Sequence, residues 1–125
     1  MPTCIFCNYA EKDRILFETG RFIVVYSYRP VNPGHVLIIP KRHMLDPFGL
    51  SLWEWLCLKA VIFRTKSELD RLHHPDGYNI GVNCGVSAGQ SVFHLHIHVI
   101  PRFTGDDPDS PGGVRKVKKP LDEHK

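Results

Sequence analysis

"SVFHLHIHVIPR", residues 91–102, places histidines at three alternate positions with an apolar residue in each gap. Because successive side chains of a β-strand point to opposite faces, the alternation predicts a strand over 92–101 with His94, His96 and His98 on one face. Neighbouring histidines would then lie about 7 Å apart along the strand. Solvated strand faces usually carry Thr, Lys or Glu instead, so three imidazoles in a row indicate a functional site.

Two kinds of chemistry are open to these histidines. In one, a His-x-His pair binds a metal through neutral imidazoles. In the other, one imidazole is a nucleophile, since it is largely neutral at pH 7. A ring nitrogen that donates its proton to a carbonyl fixes the other nitrogen as the attacking atom.

The loop before the histidines, "CGVSAGQS" over 84–91, has the composition of a phosphate-binding turn. Gly85 and Gly89 allow close approach, and Gln90, Ser91 and the backbone N–H groups can form hydrogen bonds. The loop lacks the G-K-[ST] ending of a P-loop, so an NTPase of that type is not indicated. Alone it could be a plain hairpin connection; beside three histidines it favours attack on phosphorus.

The rest of the chain predicts an α+β fold. Ser51 and Glu54 form an S-x-x-E capping box, which starts a helix that ends at or just after Leu72, because Pro75 and Gly77 follow. Several strands with one helix and no βαβ alternation predict an antiparallel sheet. The other predicted strands are 14–19, 21–28, 35–40 and 78–83.

The predicted helix is apolar on more than one side. Its aromatic and aliphatic residues between Leu52 and Phe63 cannot all face a single sheet. Scattered surface apolar residues are one interpretation, and a homodimer interface is the one we favour.

Composition narrows the function classes. A 125-residue chain fits one domain, and its net charge of +3 is too small to indicate a nucleic-acid groove, so no nucleic-acid partner is expected. No apolar run reaches the ~20 residues of a membrane span, and the N-terminus does not resemble a secretory signal, so a cytoplasmic protein without a membrane partner is expected. The Pro-, Gly- and charge-rich segment 106–125 is predicted to be a flexible tail.

The chain resembles the histidine triad (HIT) superfamily of nucleotidyl hydrolases and transferases. The resemblance rests on "HLHIHVI", the preceding "AGQS" and the upstream "NPGHVLIIPKRH", and it spans roughly residues 4 to 105. "IPRFTGD" and "GGVR" look like a bacterial branch. The resemblance implies a HIT domain over 1–105, with about five antiparallel strands and one main helix, and no organic cofactor.

By this resemblance, His96 is the nucleophile that attacks the α-phosphorus of a nucleotide and carries the nucleotidyl unit. His98 would contact the phosphate or scissile oxygen, and His35 would support the triad. The positions that match the family's substrate contacts are Ser27, Asn83, Gly89, Gln90, Ser91 and His98. The family usually has Asp or Asn where this chain has Ser27, a shorter and uncharged acceptor for ribose hydroxyls.

The "CIFC" segment is a C-x₂-C pair, half of a tetrahedral zinc site. Taken alone, such a pair can equally be inert. The resemblance implies zinc held by Cys4, Cys7, His43 and His94. Four protein ligands leave no position for water, so this zinc would be structural.

Two other functions stay open beside a HIT-type enzyme that releases a nucleoside monophosphate. One is a nucleotide-binding regulatory module with little turnover. The other is a metal-dependent hydrolase that uses the His-x-His pair as a catalytic metal site.

Overall fold

A five-stranded antiparallel sheet and one long helix form the framework of the computed structural model, which describes residues 4–118. The strands lie in the order β1-β2-β3-β5-β4. This arrangement confirms the predicted α+β class, the antiparallel sheet and the single main helix. The elements are β1 (Ile15–Glu18), β2 (Phe22–Tyr26), β3 (Val36–Pro40), α1 (Leu52–His73), β4 (Gly77–Gly81) and β5 (Ile97–Arg102).

Helix α1 begins at the predicted capping box. The Ser51 hydroxyl accepts a hydrogen bond from the Glu54 N–H at 3.1 Å, and the Glu54 carboxylate accepts one from the Ser51 N–H at 2.8 Å. Arg42 donates two more hydrogen bonds to that carboxylate, and with the capping contacts these lower the pKa of Glu54 to about 2. The ion pair fastens the chain just before His43 to the start of the helix.

The sheet has two differently covered faces. One face packs against α1 through a large apolar cluster that includes Val24, Ile38 and Val99. The other face carries a smaller cluster over which Phe6 packs: Ile23, Val25, Leu37 and Ile39. His98 pairs with Leu37 across β3 and β5, so the two side chains share this second face.

Strand β5 begins at Ile97, so the prediction of a strand over 92–101 is wrong in its first half. The Leu95 N–H donates to the Met44 carbonyl at 2.7 Å, and the His94 ring bonds the Pro40 carbonyl. These contacts take residues 94–96 to the loop that follows β3 instead of into the sheet ladder. Only His98 of the three histidines lies in the strand.

The apolar residues of α1 divide as predicted between the core and the surface. One stripe, containing Leu58, Val61 and Leu69, faces the sheet. Several large side chains stay exposed on the rest of the helix: Leu52, Trp53, Trp55, Leu56 and Phe63. Among residues 4–118, no helix combines the length and hydropathy needed to cross a membrane.

The chain after β5 folds back beside the sheet. Asp106 accepts hydrogen bonds from Arg102 and Asn32, and a short 3-10 turn spans Gly113–Val117. Residues 119–125 of the predicted tail lie outside the described part of the chain.

Candidate functional site

His35 occupies the end of a tight turn that leads into β3. The His35 N–H donates to the Asn32 carbonyl at 3.1 Å, and Gly34, between them, has φ +87°. Pro33 and a positive-φ glycine at the next position are typical of a type II turn. A Cβ atom at Gly34 would stand 2.8 Å from the ring of His73, so this position has no room for a side chain.

Hydrogen bonds fix the tautomers of His35 and His98. The Val31 N–H donates to His35 Nδ1 at 3.0 Å, so the proton of a neutral His35 is on Nε2. His35 Nε2 lies 3.0 Å from His98 Nδ1 and donates to it. The free Nε2–H of His98 is therefore a hydrogen-bond donor toward the site.

Burial keeps these two imidazoles neutral. It lowers the pKa of His35. Burial also lowers the pKa of His98 to about 4, with smaller contributions from the neighbouring His96 and His35. At neutral pH both rings are uncharged, which the hydrogen bond between them requires.

His96 is buried and held by the backbone of its own segment. Its Nδ1 lies 2.9 Å from the His94 carbonyl, and because a carbonyl only accepts, Nδ1 carries the proton. In the neutral ring, the lone pair is then on Nε2. The His96 and His98 ring centroids are 5.3 Å apart, closer than the 7 Å strand spacing, because residue 96 precedes the strand.

His94 turns away from the other two histidines toward the N-terminal cysteines. Its Nε2–H donates to the Pro40 carbonyl at 2.7 Å, which leaves the lone pair on Nδ1. That Nδ1 lies 3.3 Å from Cys4 Sγ, 3.4 Å from Cys7 Sγ and 3.1 Å from His43 Nδ1. The three histidines thus have different partners and different available atoms.

The four side chains Cys4, Cys7, His43 and His94 form a possible metal site, with all four ligand atoms within 4.8 Å of one another. Zn–N and Zn–S bond lengths place the ligand atoms of a tetrahedral zinc site about 3.3–3.8 Å apart. Four of the six separations, at 3.1–3.4 Å, approach that range, and two thiols with two imidazoles are a donor set that zinc prefers.

Phe6, between the two cysteines, is a site residue that the sequence reasoning missed. Its ring lies edge-to-face against His96, with centroids 5.2 Å apart, and 6.0 Å from the ring of His94. The only local signal was an apolar residue inside the C-x₂-C pair. The contact joins the possible metal site to the second face of the sheet.

The glycine loop is closed by Gln90. This side chain is only 6% exposed; its amide donates to the carbonyls of Leu45 and Val92, and its oxygen accepts from the Gly85 N–H. Gly85 and Gly89 have φ of +91° and +97°, conformations that favour glycine. Both amide hydrogens of Gln90 are thus engaged in holding the loop.

The other predicted contact residues lie at two places. The Ser27 N–H donates to the His35 carbonyl at 3.0 Å, which brings Ser27 beside His35, and its hydroxyl accepts from the Arg29 N–H. Asn83 and Ser91 are exposed at the two ends of the glycine loop. A Cβ atom at Gly89 would lie 3.8 Å from the amide nitrogen of Asn83, so the Asn83 side chain lies near the glycine loop.

Comparison with known proteins identifies a family. The HIT domain matches residues 9–105 of this chain. An AP-4-A phosphorylase of Mycobacterium tuberculosis is 32% identical over 99 residues, covering 78% of this chain and 51% of the relative. The asymmetrical bis(5'-nucleosyl)-tetraphosphatase of Schizosaccharomyces pombe is 30% identical over 101 residues, covering 81% and 56%. The chain therefore spans only about half the length of these two relatives.

A solved structure supports the same grouping. A Zn-bound histidine triad family protein from Mycobacterium smegmatis superposes with a TM-score of 0.73 at 36% identity, covering 86% of this chain and 84% of that one.

Proposed function

Because this chain belongs to the HIT domain family, we propose that it is a nucleotidyl hydrolase that cleaves at the α-phosphate of nucleoside phosphoramidates or dinucleoside polyphosphates. The observation that carries the proposal is the hydrogen bond from His96 Nδ1 to the His94 carbonyl, which leaves Nε2 with the lone pair in the neutral ring. The two curated relatives are named for diadenosine or dinucleoside tetraphosphate chemistry, which supports the substrate class.

The proposed reaction has two displacements at phosphorus. In the first, His96 Nε2 forms a bond to the α-phosphorus as the bond to the leaving group breaks, and the leaving group takes up a proton from solvent. In the second, water attacks the same phosphorus and gives up a proton to solvent, the phosphorus–nitrogen bond breaks with its electron pair returning to His96 Nε2, and a nucleoside monophosphate leaves. We assign the Nε2–H of His98 to donate to a phosphate or bridging oxygen; the hydrogen bond from His35 to His98 Nδ1, which favours that donor tautomer, supports the assignment.

Substrate contacts are assigned to two groups of residues. We assign the phosphate to Asn83, Ser91 and the backbone of the loop that contains Gly89 and Gln90. Because the Gln90 amide hydrogens are engaged, that side chain would act chiefly by shaping the loop. Ser27, beside His35, is assigned to the ribose.

We propose that the Cys4, Cys7, His43 and His94 cluster holds one zinc ion. With four protein ligands, zinc would supply structural cross-linking and no activated water. His94 would then be fixed at both ring nitrogens. Its carbonyl holds His96, so the cluster supports the nucleophile directly.

We also propose a homodimer in which a second copy covers the exposed apolar residues of α1, including Trp53, Trp55 and Phe63. Exposed aromatic residues grouped on one helix are typical of an interface. Light scattering at micromolar concentration should give twice the 14.3 kDa mass of the chain. The monomer mass under those conditions would contradict the dimer.

The cytoplasmic location of the protein also stays a prediction.

A substrate panel tests the proposed function. We expect kcat/KM to be highest for a nucleoside phosphoramidate or a dinucleoside polyphosphate, with guanosine and adenosine versions and sugar-linked nucleotides compared in parallel. Products should include a nucleoside monophosphate. Binding of these compounds without turnover would contradict the hydrolase and favour a nucleotide-binding regulatory module.

A further inference from the structure

The turn that carries His35 is anchored through the side chain of Asn32. One amide hydrogen of Asn32 donates to the Asp106 carboxylate at 2.7 Å, and Nδ2 also donates to the Pro101 carbonyl at 3.0 Å. The backbone carbonyl of Asn32 accepts a hydrogen bond from the backbone N–H of His35, and the His35 ring donates to His98 Nδ1. Three hydrogen bonds, connected through the residues Asn32 and His35, therefore link Asp106 to His98.

The Asp106 carboxylate is itself held tightly. Arg102 donates to both of its oxygens, at 2.9 and 2.7 Å, and the Phe103 N–H donates at 2.9 Å. Arg102 also donates to Asn79 on β4 at 2.6 Å. The side chains of Asp106 and Arg102 are only 15% and 25% exposed. These contacts hold the pKa of Asp106 well below its usual range, with Arg102 as the main cause.

We propose that Asp106 is a positioning residue for the reaction. Through Asn32 and the turn it sets the place of His35, and His35 in turn keeps the Nε2 proton of His98 directed toward the substrate. This proposal rests on the proposed function of His98. It assigns a role to a residue that stands after the sheet and outside the histidine segment.

Asp106 can influence the position of His35 without touching it, because it anchors the turn that carries His35. His35 is joined to β3 on its C-terminal side, but on its N-terminal side the chain is an irregular segment after β2. Asn32 is the residue that ties this segment to the end of β5. Without the carboxylate, the Asn32 amide loses one of its two acceptors, and the turn gains freedom to move relative to His98. A misplacement of about 1 Å remote from the chemistry can cost up to 10²-fold in rate.

Kinetics of four variants test the assignment. Asp106→Ala and Asn32→Ala should each lower kcat about tenfold or more, with KM changed by no more than about twofold. The double variant should lose little more than the larger single effect, because both changes interrupt the same route. The matched control is Asp109→Ala, since the Asp109 side chain is 88% exposed and pairs only with Lys116 among the described residues. It should keep wild-type kcat.

Two kinetic outcomes would overturn the proposal. One is an Asp106→Ala variant that melts at a lower temperature but keeps wild-type kcat, which would leave Asp106 a purely structural residue. The other is fully additive losses in the double variant. If Asp106→Ala fails to fold, Asn32→Ala provides the test, because it removes the hydrogen bond to Asp106 and leaves the Asp106–Arg102 ion pair in place.

A second measurement, on the free protein, needs no turnover. Nitrogen-15 chemical shifts of the His98 ring should show a single Nε2–H tautomer in the wild type and in Asp109→Ala. Asp106→Ala should move the two nitrogen shifts toward each other as both tautomers become populated. Unchanged shifts would overturn the positioning role. An absence of turnover in the wild type with the expected shift change would instead overturn the proposed function alone.

Discussion

His96→Ala should abolish nucleotide hydrolysis, with kcat reduced by about 10⁴–10⁶-fold, the range typical for loss of a covalent nucleophile. The reason is that the proposed first step needs a lone pair at the Nε2 of residue 96, and the two neighbouring histidines cannot replace it. His94 directs its free nitrogen at the cysteines, and His98 presents an N–H. Rapid quench followed by intact-mass measurement should detect a nucleotidyl adduct on the wild type and none on the variant.

Two further variants separate chemistry from folding. His96→Asn can still donate to the His94 carbonyl but has no nucleophilic nitrogen, so it should fold, retain metal and remain inactive. His74→Asn is the matched control, because His74 is an exposed histidine with φ 52° at the end of α1 and asparagine tolerates that conformation. It should keep full activity. Hydrolysis by either residue-96 variant within tenfold of the wild type would contradict covalent catalysis.

Loss of the metal site should have the second largest effect. We expect about one zinc per chain in the freshly purified protein and much less than one in Cys4→Ser. The variant should melt about 10 °C or more below the wild type, because losing a metal cross-link worth a few kcal/mol shifts the midpoint by several degrees per kcal/mol. Activity should fall by about 10–100-fold, since His94 would lose its fixed orientation beside His96.

Elemental analysis and thermal melting, with and without a chelator, measure this effect. Cys84→Ser is the matched control: Cys84 is an exposed cysteine outside the cluster, and its variant should keep its zinc and its melting temperature. Freshly purified wild-type protein that contains no zinc, together with a Cys4→Ser variant whose melting temperature equals that of the wild type, would contradict the structural zinc. Complete loss of turnover on chelation, with the melting temperature unchanged, would instead favour the catalytic-metal alternative.

The framework of the fold was predictable where local signals agree with long-range packing. The capping box at Ser51 fixes the start of α1, and Gly20 separates two strands that do pair as a hairpin. The alternation over 92–101 predicted a strand that begins too early, because residues 94–96 alternate in polarity without belonging to the sheet. His94 and His96 are buried by side-chain contacts with Pro40, Phe6 and the cysteines, which lie far away in the sequence.

The site itself was only partly within reach of the sequence. The pairing of His35 with His98 joins residues 63 positions apart, and no local pattern specifies it. The C-x₂-C pair indicated half of a metal site, and the two histidine partners came from the family resemblance. Asp106 was assigned to a flexible tail because Pro, Gly and charged residues follow it. Its bonds to Asn32 and Arg102 depend on how the chain folds back beside the sheet.

The uncharged state of His35 and His98 has a consequence for how a nucleotide is held. The polyphosphate of the proposed substrate would carry several negative charges, yet His98 offers it a directed N–H dipole instead of formal positive charge, the N–H of His35 is used to hold His98, and the glycine loop contains no Lys or Arg. Dissolved ions screen interactions between full charges far more than short hydrogen bonds. Affinity for the nucleotide should accordingly be insensitive to ionic strength, and selectivity should depend on the directions of the donors.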